Sequence, residues 1–459
     1  MRSFGAVLTA TSFLGLSGCG AHGGAARVPT PVGSFATATA RGPSGAPIPS
    51  PRPLAPPPPA EEVVEVRLAA TGDVMMHEAV KAAASSQDRR NTTGQSLNHR
   101  GFDELFATVA PAVRSTDLAF ANLEFPVAPR AGRGTRPFVF NAPPEILAAL
   151  RAAGFGLVSF ANNHAYDQGP AGMVETLDEL RKAGLPEVGA GRDLSAATRP
   201  VMFTLHGIRI AFLGFTAHFN LDLNDPSPLA PHVNPAEPEE MAREIALAKT
   251  TSDLVVVSIH WGTEYATDPD PGQMALAHRL VNAGADIILG SHPHVLERLE
   301  VVHRPGGRVA LIAYSLGNFI SNQSRSYVQG ESPPAQADTR DGVLLLITLE
   351  RRTRGSGKSS VALRRVDYLP LWTENNDLAR QHMPELPPRI DVIAIEPALT
   401  AARLALTTAV PGSQLARSLQ QRISLLAEQK QRIVHRLGPA FAPSDVTFSA
   451  QSAGDHPKD

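Results

Sequence analysis

The stretch DIILGSHPH, residues 286–294, runs from an apolar segment of buried-strand character straight into two histidines separated by a single proline. Short apolar runs ending in polar residues recur upstream of it: VVEVRLAATGDV (63–74), LAFANLE (118–124), LVSFANNH (157–164), IRIAFLGFT (208–216) and LVVVSIHWG (254–262). Between them lie stretches with helical signals at 103–114, 143–153, 171–183, 238–249 and 273–283, several closed by a glycine such as Gly154, Gly184 or Gly284. This alternation predicts βαβ units and a largely parallel sheet. In such sheets the residues just past the carboxyl ends of the strands line the ligand crevice.

The strand ends collect one kind of chemistry. They carry Asp73, Asn122 and Glu124, Asn163 and His164, His260, and finally His292 and His294. Carboxylate oxygens and imidazole nitrogens together suit divalent zinc, manganese or iron without any thiolate. Taken singly, a histidine at a strand end is more often a hydrogen-bonded structural residue than a ligand. Chance seldom sets Asp, Glu, Asn-His, His and His-x-His successively at the ends of five apolar runs. His77 lies close to Asp73 and reads as an exposed loop residue or as a supplementary ligand.

Beyond residue 300 the texture changes to strands, with RVALIAYSLGNF (308–319), GVLLLITLE (342–350) and VALRRVDYLPLW (361–372), which suggests a second sheet packed on the first. Residues 374–459 read as a C-terminal extension with one amphipathic helix, 413–437, whose apolar face carries Leu415, Leu419, Ile423, Leu426, Ile433 and Leu437. Smaller features leave alternatives open. Asn318 reads as a turn residue or a contributor to the site, Arg340-Asp341 as a surface pair or an anion contact, and Trp261 and Tyr265 as pocket lining or packing.

The chain has 459 residues, and its 42 Lys+Arg against 44 Asp+Glu give no electrostatic footprint for a nucleic-acid partner. Its one cysteine, Cys19, can form no intramolecular disulfide. It follows a short apolar stretch headed by Arg2, so residues 1–19 read as a secretory signal. Leu16-Ser-Gly-Cys19 resembles a bacterial lipobox, which implies lipidation at Cys19, export, and attachment to a membrane of the cell envelope. Eleven of the 40 prolines fall between Pro29 and Pro59, so residues 20–60 read as an extended spacer between anchor and body.

The segments GDVMM, ANLE, FNAPPEILAALRAAGFGLVSFANNHAYDQG, HWGTEY, GADIILGSHPHV and YSLGNF resemble the CapA-type family of capsule and poly-γ-glutamate synthesis proteins, a likeness that spans about residues 65–372 within a 61–373 domain. That family is similar in turn to the calcineurin-like metallophosphoesterases. The resemblance implies an α/β fold, a four-layer α/β/β/α sandwich of the metallophosphoesterase type with mixed sheets. It also implies one or two divalent ions (Mn, Zn or Fe) held by Asp73, Glu124, Asn163, His260, His292 and His294, with His164 as proton donor. Asp167 is placed either to orient His164 or to favour the start of the following helix. The sequence departs from the phosphoesterase pattern at Met75, where a histidine ligand is expected, and at NLE, where the bridging carboxylate is an Asp.

Three functions follow from this reading. The first is an envelope-anchored protein that assists synthesis, export or anchoring of poly-γ-glutamate or a similar anionic polymer, as part of a polymer-synthesis complex. The second is a metal-dependent hydrolase of phosphate esters or of the polymer itself. The third is a scaffold that keeps a single structural ion.

Overall fold

The computed structural model describes residues 61–90, 98–354, 357, 359–438 and 441. The expected signal over 1–19, with Cys19, and the expected spacer over 20–60 lie outside them. Two mixed sheets form the centre. The first runs, in order, Ile390–Ala394, Ser359–Asn375, Asp341–Thr353, Glu62–Val74, Leu118–Leu123, Phe155–Ser159 and Glu187–Val188, with Asn318–Ile320 paired to the end of Glu62–Val74. The second runs Leu299–His303, Val309–Ala313, Ile287–Ser291, Leu254–His260, Ile208–Thr216 and Val201–Leu205. The first sheet is parallel from Glu62–Val74 to its Glu187–Val188 edge and antiparallel on the other side, while the second is parallel in the middle and antiparallel at both margins.

Three apolar cores fix the layer order. Leu68 and Leu345 of the first sheet meet Phe212, Val256 and Ile287 of the second in a core between the sheets. Ile146, Leu150, Met173 and Leu180 of helices Glu145–Ala153 and Gly169–Ala183 cover the outer face of the first sheet. Met241, Ile245, Leu280 and Val281 of helices Pro238–Thr251 and Pro271–Ala283 cover the outer face of the second. The order is helix, sheet, sheet, helix, the expected α/β/β/α sandwich. Each Leu, Ile, Val or Phe withdrawn from water contributes roughly 1.5–3 kcal/mol. The inter-sheet core therefore holds the two halves of the rim in register.

Several expectations are corrected. The strands beyond residue 300 do not make the second sheet: Leu299–His303 and Val309–Ala313 extend the one begun by Val201–Leu205 and Ile208–Thr216, while Asp341–Thr353, Ser359–Asn375 and Ile390–Ala394 return to the first. The helix expected over 103–114 is broken into a 3-10 turn, Asn98–Leu105, and a short helix, Ala110–Arg114. Pro111 stands in the first turn of the latter, where its missing N–H costs nothing. The C-terminal part contributes an edge strand and two long helices, Ile395–Thr408 and Gln414–Leu437, where one helix was expected. Leu426, Ile433 and Leu437 of the last helix enter the inter-sheet core, but Leu415 is exposed. Among the described residues no helix is long and apolar enough to cross a membrane.

Candidate metal centre

Register delivers the polar residues to one rim. Asp73 pairs with Asn122, and Asn122 with Ser159, across the ends of three parallel strands of the first sheet. Thr216, His260 and Ser291 form the matching row on the second. Gly72 permits the closest approach, because a Cβ there would stand 1.8 Å from the carbonyl oxygen of Gly317. The amide of Asp73 donates to that same oxygen at 2.9 Å, which anchors the aspartate.

Asp73, Asn122, Glu124, Asn163, His164, His260, His292 and His294 are all buried at this rim. Their ligand atoms fall into two groups, Asp73 with Glu124 and His294, and Glu124 with His260 and His292, and within each group the atoms lie within 4.8 Å of one another. Glu124 is common to both. Its Oε1 lies 3.6 Å from His260 Nε2 and 3.9 Å from His294 Nε2. His294 Nδ1 is 3.1 Å from Asp73 Oδ2. His260 Nε2 is 3.0 Å from Asn163 Oδ1 and 3.1 Å from His292 Nδ1, while its Nδ1 is held by Ser291 Oγ at 2.9 Å.

These residues fit a divalent ion. Two ligands each 2.0–2.1 Å from one ion stand about 3.0–3.4 Å apart; here the contacts run from 3.0 Å between Asn163 and His260 to 3.9 Å between Glu124 and His294. Both oxygens of the fully buried Glu124 lack a hydrogen-bond partner among the described residues, an arrangement that a bound cation would satisfy. Burial, and then the Asp73 carboxylate, pushes the Glu124 carboxyl well above its ordinary value. Burial and then the neighbouring imidazole of His292 hold His260 well below its usual range; burial and then His218 lower His292 to about 3. His260 and His292 are thus neutral at pH 7, the form that ligates metal. His292 and His294 sit at φ of 98° and 60°, a conformation that costs a non-glycine residue about 1–3 kcal/mol and persists where the surroundings impose it.

His164 stands beside this set. Its Nδ1–H donates to Asp167 Oδ2 at 2.8 Å, and the same carboxylate oxygen accepts the Phe140 amide at 2.6 Å. Asp167 therefore orients the ring. The Phe140 ring packs on the imidazole, centroids 4.5 Å apart. Met75 is buried in the outer core of the first sheet. His77 is not the exposed residue anticipated: it is half-buried edge-on to Phe140, and burial followed by His294 lowers its pKa to about 4. Asn318 bonds Ser321, Gln323 and the Thr339 carbonyl. Arg340 and Asp341 are neither a surface pair nor an anion contact, since both are buried, Arg340 over the Trp372 ring and Asp341 against Arg432. Trp261 packs in the core, donating to the Tyr314 carbonyl.

Two contributors went unread in the sequence. The loop after Ile208–Thr216 stacks His218 on His292 at a 4.2 Å centroid distance. It also places Asn220 Oδ1 3.2 Å from Asn163 Nδ2 and its Nδ2 3.4 Å from the His164 ring nitrogens. The signal was the polar HFN directly past a strand end. A cleft of about 1050 Å³ opens beside the cluster, lined by His77, Phe138, Phe140, Tyr265 and Gln323 among others.

Fold and rim together define an α/β/β/α protein whose strand ends gather buried His, Glu and Asp side chains that could hold a metal ion. The chain belongs to the family described as bacterial capsule synthesis protein PGA_cap, which matches residues 67–323. It is 36% identical over 269 residues to the PGA biosynthesis protein CapA of Bacillus subtilis, covering 57% of this chain and 65% of that protein. It is 34% identical over 264 residues to the capsule biosynthesis protein CapA of Bacillus anthracis, covering 55% and 59%. The match thus spans about 60–65% of the length of these curated relatives. Among solved structures, a hypothetical protein of Thermus thermophilus aligns with TM-score 0.36 at 20% identity, covering 66% of this chain and 98% of that one. The NAD nucleotidase of Haemophilus influenzae aligns with TM-score 0.35 at 13% identity, covering 81% and 61%.

Proposed function

We propose that this protein is exported, lipid-anchored through Cys19, and assists the synthesis, export or anchoring of capsular poly-γ-glutamate or a similar anionic polymer, with one or two divalent ions at the sandwich rim. The observation that carries the metal-dependent part is Glu124, buried and without a hydrogen-bond partner among the described residues, shared by two ligand groups that each draw on both sheets. Asp73, Glu124 and His294 would hold one ion; Glu124, His260 and His292, with Asn163 beside them, a second. Manganese, zinc and iron all suit this donor set. When bound, such an ion polarises a scissile ester or amide. Asp167 holds His164 with Nδ1–H turned onto its carboxylate, which leaves Nε2 free; the imidazolium, protonated at Nε2, would deliver that proton to a leaving group. The His164–Asp167 pair favours a second reading, hydrolysis of envelope phosphate esters or of the polymer itself.

Metal analysis of the protein from Glu61 onward, with turnover of a phosphodiester and of γ-linked polyglutamate under added manganese, separates the readings. Metal without turnover supports the assisting role. Turnover abolished by His164→Ala with metal retained supports the hydrolase. A protein that takes up no metal refutes the metal-dependent part of both. Anchoring is tested by Cys19→Ser, which should remove fatty-acid labelling and release the protein from the membrane fraction.

A further inference from the structure

Two exposed aromatic side chains at the cleft sit on backbone that such residues rarely adopt. Phe138 is 84% exposed at φ 63°, and Tyr265 is 54% exposed at φ 66°. Phe138 occupies the third position of a turn closed by the Val139 amide on the Arg136 carbonyl at 2.9 Å, with Pro137 before it. That position takes glycine by preference, because its φ is positive. A bulky apolar side chain held out into solvent there runs against both backbone preference and burial, which marks it for contact with something. Tyr265 is fixed by its amide on the Pro293 carbonyl at 2.8 Å, inside the SHPH loop itself, and its ring lies 6.1 Å from that of His294.

The rest of the cleft differs in character. Asn322, Gln323 and Gln336 line it with amide groups that both donate and accept, and Arg325, 66% exposed and 3.7 Å from Asp377, adds a cation. Arg133 and Arg136 stand exposed on the loop that carries Phe138. Asn322 and Gln323 fall at the very end of the family match, which stops at residue 323, and Gln336 lies beyond it.

We propose that the cleft is the seat of an extended, carboxylate-bearing polyamide chain, gripped between Phe138 and Tyr265 with its amides on the Asn322–Gln323–Gln336 wall. Aromatic faces take the methylene segments of such a backbone, side-chain amides exchange hydrogen bonds with its peptide groups, and the arginines at the margin meet its carboxylates. This deepens the polymer reading above and rests on it.

The test is binding of a fluorescent γ-linked glutamate decamer to the intact, metal-loaded lipoprotein in detergent, by anisotropy. Phe138→Ala with Tyr265→Ala is expected to weaken binding at least about tenfold with metal content unchanged, as loss of aromatic anchors does. Unaltered binding by this variant overturns the aromatic grip while the polymer reading stands. No binding by the wild-type protein overturns the polymer reading and the cleft assignment together. A neutral glucan hexamer bound more tightly than the decamer overturns the assignment of a polyamide.

Discussion

Replacing Glu124 by Gln separates ion ligation from packing. The side chain is fully buried, neither oxygen has a hydrogen-bond partner among the described residues, and it stands in both ligand groups. In the absence of an ion a buried, unpartnered polar group costs about 1–3 kcal/mol. Burial and the Asp73 carboxylate make the charged form the costly one. Gln removes the charge and keeps the shape. Chelated Glu124→Gln is therefore expected to match or exceed the stability of the wild type, by up to about 6 °C at about 2 °C per kcal/mol. With metal the order reverses. An ion at a thousandfold its dissociation constant stabilises the wild type by about 4 kcal/mol, whereas the variant should keep less than about a quarter of that gain. Calorimetry of chelated protein titrated with manganese or zinc, alongside metal quantification, reads both effects. A variant that is less stable without metal would show that Glu124 is a structural acceptor; one with the full metal-induced shift would show that the ligand set is wrong.

Further expectations concern the neighbouring groups. His164→Ala and Asp167→Asn should each reduce any turnover by about 10²–10⁴-fold while metal content stays constant; loss of metal from His164→Ala would make that residue a ligand. Glu297 is fully buried with Oε1 unpartnered, and burial raises its pKa to about 8. Because the folded value lies above the unfolded one, its contribution is complete below about pH 4.5 and is lost as pH rises towards 8. The advantage of Glu297→Gln over wild type in urea unfolding should accordingly grow from near zero at pH 4.5 to about 3 kcal/mol at pH 7; a pH-independent difference refutes this. Arg432 pairs with buried Asp341 at 2.6 Å, and burial raises the Asp341 pKa to about 7. Arg432→Leu should destabilise by about 3–5 kcal/mol at pH 8 and by clearly less at pH 6, where Asp341 takes up a proton; chemical denaturation at the two pH values measures it.

Strand and helix positions were legible because local periodicity reports them. The run DIILGS emerges as strand Ile287–Ser291, and helices Glu145–Ala153 and Gly169–Ala183 end at glycines with φ of 110° and 64°. Which sheet a strand joins is a long-range matter. Residues 345–353 of strand Asp341–Thr353 pair with residues 62–70, far earlier in the chain, and nothing in the strand's composition announces that partner. The candidate site divides the same way. Residues at the ends of apolar runs were visible, whereas His218 and Asn220 lie two and four residues past Thr216 and reach His292, Asn163 and His164 only through the loop's path. His77 was misread because its burial comes from Phe140, 63 positions away along the chain. Solvent exposure of a loop side chain is decided by what packs over it.

The two-sheet origin of the site gives an ion there a mechanical role as well as a chemical one. Asp73, Glu124 and Asn163 stand on or directly after strands of the first sheet, and His260, His292 and His294 on or directly after strands of the second. Among the described residues, direct polar contacts across the rim include Asp73 with His294 and Asn163 with His260, each at or near 3 Å. An ion ligated from both sides would cross-link the sheets at the end where the helices do not cover them, and its binding free energy would then appear as folding stability. Ligand loss and rim loosening are for that reason one event. A substitution far from the ligands that lets the sheets slide, such as truncation of Phe212 or Ile287 in the core between them, should weaken metal affinity together with stability, while truncation of Met241 in the outer core of the second sheet should lower stability with far less effect on metal.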